Sequence, residues 1–171
     1  LEKKLLIEDS KNQILLRHFF NFIIFFISNI FFYLILNKRF TKKISIIGLL
    51  FLILSPRIFA DSFYNNKDLV FLSLFIIAIF FSINFLNKMS YKNSLMAALT
   101  CSFAIDTRIV GIIIPIIILI FFFLESIENK IFYRKNIFKT ISFSGLLLIF
   151  TFAFWPYLWE NPILNFSNTL K

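Results

Sequence analysis

Apolar residues in this chain fall in long blocks separated by short charged stretches, and the blocks have the length of membrane-crossing helices. At a helical rise of about 1.5 Å, a span needs about 17–25 residues. The pattern predicts four full spans, over residues 19–36, 44–60, 69–86 and 141–158. Residues 94–124 form one further apolar stretch, interrupted only by Asp106-Thr107-Arg108. It is too long for one span and too short for two, so the expected element is an unequal hairpin: a short helix over 94–105, a turn at the charged triplet, and a longer helix over 109–124. The fold class expected is all-α, a polytopic transmembrane helical bundle.

Composition supports this reading. Of 171 residues, 59% are hydrophobic and 27 are phenylalanine, and the mean hydropathy is +0.84. One soluble domain of this size could not bury so much apolar surface. The runs of Ile, Phe, Lys and Asn, with only three glycines, fit an AT-biased coding sequence, so the phenylalanine count carries no functional weight. A net charge of +9 in a soluble protein would point to nucleic acid. Here the basic residues sit in short loops and set topology, so no nucleic-acid partner is expected. Residues 37–43 carry four positive charges and no negative one, residues 87–93 two and none, and residues 125–140 four against two. These three loops alternate onto one side, which the positive-inside rule makes cytoplasmic. The near-neutral stretches (1–18, the loop after residue 54, the Asp-Thr-Arg turn and the loop after residue 154) then face the exterior or periplasm. The expected location is a bacterial inner or plasma membrane.

The chain starts at Leu1 and stops at Lys171 after a polar loop, and it is expected to be part of a longer protein. Residues 1–18 are expected to be the tail of a first exterior loop, and residues 19–171 a membrane domain continuing at both ends. No cleaved leader is expected, because the first apolar run is too long for one and no small-residue cleavage site follows it. Cys101 is the single cysteine, which leaves neither an internal disulfide nor a thiolate metal site. The dispersed Gly48, Gly111 and Gly145 make no phosphate-binding loop.

Candidate chemistry gathers on the exterior side. Residues 55–71, SPRIFADSFYNNKDLVF, place Arg57, Asp61, Lys67 and Asp68 where two apolar helices meet. A charge within a membrane costs about 2.5–3.5 kcal/mol on insertion scales, so four in twelve residues indicate a pocket. Glu8, Asp9, Arg17 and His18 precede them in chain order, and Tyr64, Asp106, Arg108, Trp155, Tyr157, Trp159 and Glu160 complete the set. Such a site is open to a lipid-borne ligand from the bilayer and to a second substrate from water. Guanidinium groups at a membrane edge suit a lipid phosphate. Carboxylates suit proton abstraction from a hydroxyl, or a divalent metal, which is left open although no cofactor is required.

Three segments, SPRIFADSFYNNKDLVFLSLF, AIDTRIVGIIIP and FWPYLWENPI, resemble bacterial integral-membrane glycosyltransferases of the GT-C fold, related to the protein O-mannosyltransferases and lipid A aminoarabinose transferases. With their helices they cover residues 16–166 in the family's order. Asn66 stands where the family pattern has proline. The resemblance implies transfer of a sugar from a polyprenyl-phosphate donor to a lipid, glycan or protein hydroxyl, with inversion, on the exterior side. It implies a catalytic carboxylate in the first exterior loop, placed before Leu1, with Glu8 and Asp9 as weaker local candidates beside Glu2. It makes Arg57 and Lys67 candidates for the donor phosphate. Asp61 and Asp68 become candidates for orienting these cations or for binding acceptor or metal, and Tyr64 for stacking on or hydrogen bonding to sugar. Asp106 and Arg108 are candidate lipid-phosphate contacts, and Trp159 and Glu160 belong to a substrate-facing loop.

Plainer roles stand beside each of these. Asp68 could be an N-cap, Arg57 a snorkelling cation, Lys67 a solvated or headgroup-facing lysine, and the Asp106–Arg108 pair a charged turn between helix ends. Trp155, Tyr157 and Trp159 could form an interfacial belt. Two other classes fit part of the pattern: a secondary transporter or flippase with a discontinuous helix at residues 106–108, and a noncatalytic membrane subunit.

Overall fold

The computed structural model describes residues 2–160, without the side chains of residues 2–10, 132, 133 and 158. In chain order the helices are α1 (Glu2–Asn37), α2 (Lys42–Ile53), α3 (Pro56–Tyr64), α4 (Asp68–Asn87), α5 (Tyr91–Thr107), α6 (Ile113–Glu128) and α7 (Lys130–Phe154). Short 3-10 turns cover Ile109–Ile112 and Pro156–Leu158. The all-α, polytopic class is therefore as expected. Four helical segments are long and apolar enough to cross a membrane: Lys11–Asn37, Asp68–Asn87, Ile109–Glu128 and Arg134–Phe154. Only 11–33% of each is buried within the protein. Side chains such as Phe51, Phe123 and Leu148 lie exposed, a surface that suits lipid and not water.

Four boundaries differ from the sequence reading. The run over 44–60 is not one straight span: α2 ends at Ile53, α3 begins at Pro56, and the axis turns by 61° between them. Pro56 is the cause, since it lacks an N–H and its ring clashes with the carbonyl four residues back, while the first turn of a new helix accepts it. The stretch 125–140, expected as a loop, is almost wholly helical, with only Asn129 between α6 and α7. No Gly or Pro interrupts it, and the Asn129 Oδ1 accepts from the Ile131 amide at 3.1 Å to start α7. α7 then stops at Phe154, ahead of the expected Leu158, because Pro156 follows. Residues 2–18, read as a loop tail, belong to α1. The sequence up to residue 37 contains neither Gly nor Pro to stop the helix.

The chain forms two compact units, divided within α4 after Ile76. In the N-terminal unit α1 and α2 make an antiparallel pair, with α3 folded back against α1. The turn after α1 is closed by the Arg39 and Phe40 amides donating to the Leu36 carbonyl at 3.0 and 2.8 Å. In the C-terminal unit α5 and α7 form the principal pair. They run parallel: Ser94 Oγ donates to the Lys139 carbonyl at 3.4 Å near one end, and Phe103 stacks on Phe154 at 4.8 Å near the other. Ala97, Ala98, Cys101 and Ala104 are fully buried on α5. Small side chains let helices approach closely, which matters in lipid because apolar burial there gives little driving force. Several buried hydroxyls donate within their own helices, as in Ser82 to the Ala78 carbonyl at 2.7 Å and Thr100 to the Met96 carbonyl at 2.8 Å.

Candidate active site

In the N-terminal unit most of the charged segment expected to be a loop is α3. This matters chemically, because Arg57, Asp61 and Tyr64 stand at i, i+4 and i+7 and so share one helix face. Arg57 and Tyr64 are exposed and Asp61 is half-buried. The helix is held against α1 by aromatic contacts. Phe63 stacks on Phe22 with centroids 5.3 Å apart and planes 12° apart, and Tyr64 meets His18 edge-on at 6.2 Å, while within α3 Phe59 meets Phe63 edge-on at 5.5 Å. His18 is thus an interface residue seated on Tyr64. The resulting helix is amphipathic and bent away from α2, with an anchored phenylalanine side and an accessible charged side.

Lys67 and Asp68 belong to a different local structure. Asn65 Oδ1 accepts from the Asp68 amide at 2.9 Å and from the Lys67 amide at 3.2 Å, while Asn65 Nδ2 donates to Asp68 Oδ2 at 3.4 Å. This reciprocal pairing resembles a capping box at the start of α4. Asn65 therefore does the capping that the sequence reading offered to Asp68, and Asp68 sits in the first turn, where a negative charge complements the helix dipole. The Asn-x-x-Asp spacing was the available signal. Asn66, in place of the family's proline, donates its amide to the Tyr64 carbonyl at 3.1 Å, a bond proline could not make. Both Lys67 and Asp68 are exposed.

In the C-terminal unit Asp106 occupies the last turn of α5, and Arg108 caps that helix with extended backbone. The Arg108 carbonyl accepts from the Gly111 amide at 2.8 Å, which closes the turn. Asp106 lies past the apolar part of α5, with its Oδ1 buried and without a hydrogen-bond partner. A carboxylate at a helix C-terminus also opposes the helix dipole. Burial pushes its pKa from 3.8 up to about 6. Because the folded state holds this proton more tightly than the unfolded state, stability should fall as pH rises from about 4 to about 6 and level off above that. Asp106→Asn should flatten this slope, as measured by thermal unfolding in detergent across that range.

The segment after α7 lies at the same end of this unit as Asp106 and Arg108, since Phe103 and Phe154 are stacked there. Trp159 Nε1 donates to the Phe152 carbonyl at 2.8 Å and so ties down the end of α7, while its ring stays exposed. Tyr157 and Glu160 are exposed as well. Residues 161–163 of the FWPYLWENPI segment and the side chains of Glu8 and Asp9 lie outside the described residues. Among the described residues no three His, Cys, Asp or Glu side chains come together as a metal-binding cluster.

The comparisons with known proteins bear on this arrangement. The family model for dolichyl-phosphate-mannose-protein mannosyltransferase matches residues 5–155. The chain belongs to this family. The match takes in α3, the Asn65–Asp68 turn and the Asp106–Arg108 turn, and it makes the chain a membrane glycosyltransferase of the GT-C kind, built from helices that cross the bilayer several times. No curated protein and no solved structure matches the chain.

Proposed function

We propose that this chain serves transfer of a sugar from a polyprenyl-phosphate-linked donor to an acceptor hydroxyl, with inversion at the anomeric carbon, on the exterior face of a bacterial inner or plasma membrane. The observation that carries the reading is the family match across residues 5–155 together with the single charged face of α3, where Arg57, Asp61 and Tyr64 align. The loop charges favour placing that face, the Asp106–Arg108 turn and the segment after α7 on the exterior side.

In this reading the acceptor oxygen attacks the anomeric carbon from the side opposite the phosphate. The bond to the phosphate oxygen breaks, its electron pair leaves on the polyprenyl phosphate, and the acceptor proton passes to a carboxylate. Arg57 and Lys67 hold the donor phosphate and offset the charge that builds on it; a guanidinium fits phosphate oxygens through paired donors. Asp61 orients Arg57 across one helical turn or binds the acceptor, and Asp68 supplies a further carboxylate. The ring of Tyr64 offers a flat apolar face to a sugar; taken by itself, the C-terminal unit offers Arg108 to a lipid phosphate, with Asp106 beside it, and the Trp159 ring and Glu160 to a sugar. Glu8 and Asp9 are the weaker local candidates for the carboxylate that takes the acceptor proton. The acceptor is a hydroxyl of lipid, glycan or protein.

Incubating membranes that carry the protein with polyprenyl-phosphate mannose or with a nucleotide-linked mannose, and assigning the anomer of the product by NMR, checks this mechanism. Transfer from the lipid-linked donor alone, with reversed configuration, is expected. Transfer from the nucleotide sugar, or retained configuration, would overturn it.

A further inference from the structure

The other end of the C-terminal unit is cationic and hollow. α5 is about 25 Å long at its helical rise, so this end lies far from the Asp106–Arg108 turn. Here α4 ends at Asn87, α5 begins at Tyr91, α6 ends at Glu128 and α7 begins at Lys130. A cleft of about 510 Å³ opens between them, and Lys88, Lys135, Lys139, Asn87, Asn129 and Asn136 supply its polar lining. Among the described residues no carboxylate lines it.

Two of the lysines sit on fixed structure. Lys135 and Lys139 are one helical turn apart on α7 and share a face. Asn136 is buried, and its Oδ1 accepts from the Lys139 ammonium at 3.1 Å. Lys88 sits on a turn fixed by Asn93, whose Nδ2 donates to the Lys88 carbonyl at 2.7 Å and to the Asn84 carbonyl at 3.3 Å. Three ammonium groups around one cleft repel each other unless an anion lies among them. A second cleft of about 330 Å³ adjoins the first and shares Leu86, Asn87 and Met89 with it. Phe121, Phe122 and one carboxylate, Glu125, complete its lining. Leu86, Met89 and Ile131 share the first cleft with the three lysines, and cations set side by side with apolar side chains match a molecule that is phosphate at one end and hydrocarbon at the other.

We infer that these paired clefts bind the headgroup and upper acyl region of an anionic phospholipid, at the end of the unit that the loop charges assign to the cytoplasm. Within this unit the clefts lie at the opposite end from the Asp106–Arg108 turn, and the inference rests on their lining and not on the sugar-transfer reading.

Native mass spectrometry of the purified protein, equilibrated with equal amounts of phosphatidylglycerol and phosphatidylcholine, tests the inference. At least about a tenfold preference for retained phosphatidylglycerol is expected. It should vanish in Lys88→Gln/Lys135→Gln/Lys139→Gln and persist when the same three positions are arginine. It should also persist in Lys38→Gln/Lys42→Gln/Lys43→Gln, which removes equal charge from another loop. If the first triple variant fails to fold, Lys135→Gln alone should lower the preference about threefold. Equal retention of the two lipids by wild type overturns the inference. So does an equal loss in the Lys38/Lys42/Lys43 variant, which would mean general surface charge, or displacement of the lipid by millimolar inorganic phosphate, which would mean a soluble-anion site.

Discussion

Gly111→Ala is expected to cost about 1–3 kcal/mol of stability and to lower the folded protein recovered from membranes several-fold. A Cβ at this position would stand 2.7 Å from the Ala104 carbonyl carbon and 2.8 Å from the Ala104 oxygen and the Ile105 nitrogen. All three are backbone atoms of α5, so no side-chain rotation relieves the clash. The 3-10 turn Ile109–Ile112 would have to lift off the end of α5, and the Asp106–Arg108 turn would move with it. Gly48→Ala is the matched control. Its Cβ meets only Leu36 Cδ1, at 2.7 Å, the far end of a flexible side chain that can rotate away. Thermal unfolding in one detergent should therefore separate the two variants, with Gly111→Ala lowered and Gly48→Ala close to wild type. If both behave alike, close packing of Gly111 against α5 is not what holds this turn.

Arg57→Ala should lower transfer efficiency from a lipid-phosphate donor by about 10- to 150-fold, the equivalent of one hydrogen-bonded charged contact of about 1.5–3 kcal/mol. Arg57 is exposed, while Phe63 and Tyr64 make the ring contacts between α3 and α1. Its removal should therefore leave folding intact. Arg57→Lys should recover part of the loss, since the charge returns without the paired donors of the guanidinium. A donor titration distinguishes the role. A phosphate contact raises the donor KM or lowers kcat/KM, whereas a snorkelling arginine changes neither.

How far the sequence foretold this structure varies with the physical signal at each place. The span over 69–86 matches α4, Asp68–Asn87, within one residue at each end, because nothing inside it competes with length and hydropathy. The break at Asp106–Arg108 was legible because charges interrupt an apolar run of impossible length. The kink at Pro56 was missed because hydropathy stays high on both sides of it, and the local penalty of one proline is invisible to a count of apolar residues. Residues 125–140 were read as a loop from their charge, yet Lys135 and Lys139 are helical and lie on one face; charge marks the membrane boundary and does not end a helix. The same confusion hid the most useful feature of the candidate site. Arg57, Asp61 and Tyr64 were legible as chemistry, but their common face follows only once Pro56 starts a new helix. Asn65 escaped notice because its role is local hydrogen bonding, with no charge to flag it. Membership of the glycosyltransferase family was legible from three short segments, since the order of charged residues at helix ends carries that information where the apolar helices do not.

The decisive measurement is transfer of radiolabelled sugar from a polyprenyl-phosphate donor by membranes carrying wild type or Arg57→Ala/Asp61→Ala at matched folded amounts. Transfer by wild type that collapses in the double variant places the charged face of α3 in the reaction. Transfer that is equal in both, or absent from any lipid-phosphate donor with both proteins folded, would remove that face from the chemistry and with it the proposed mechanism.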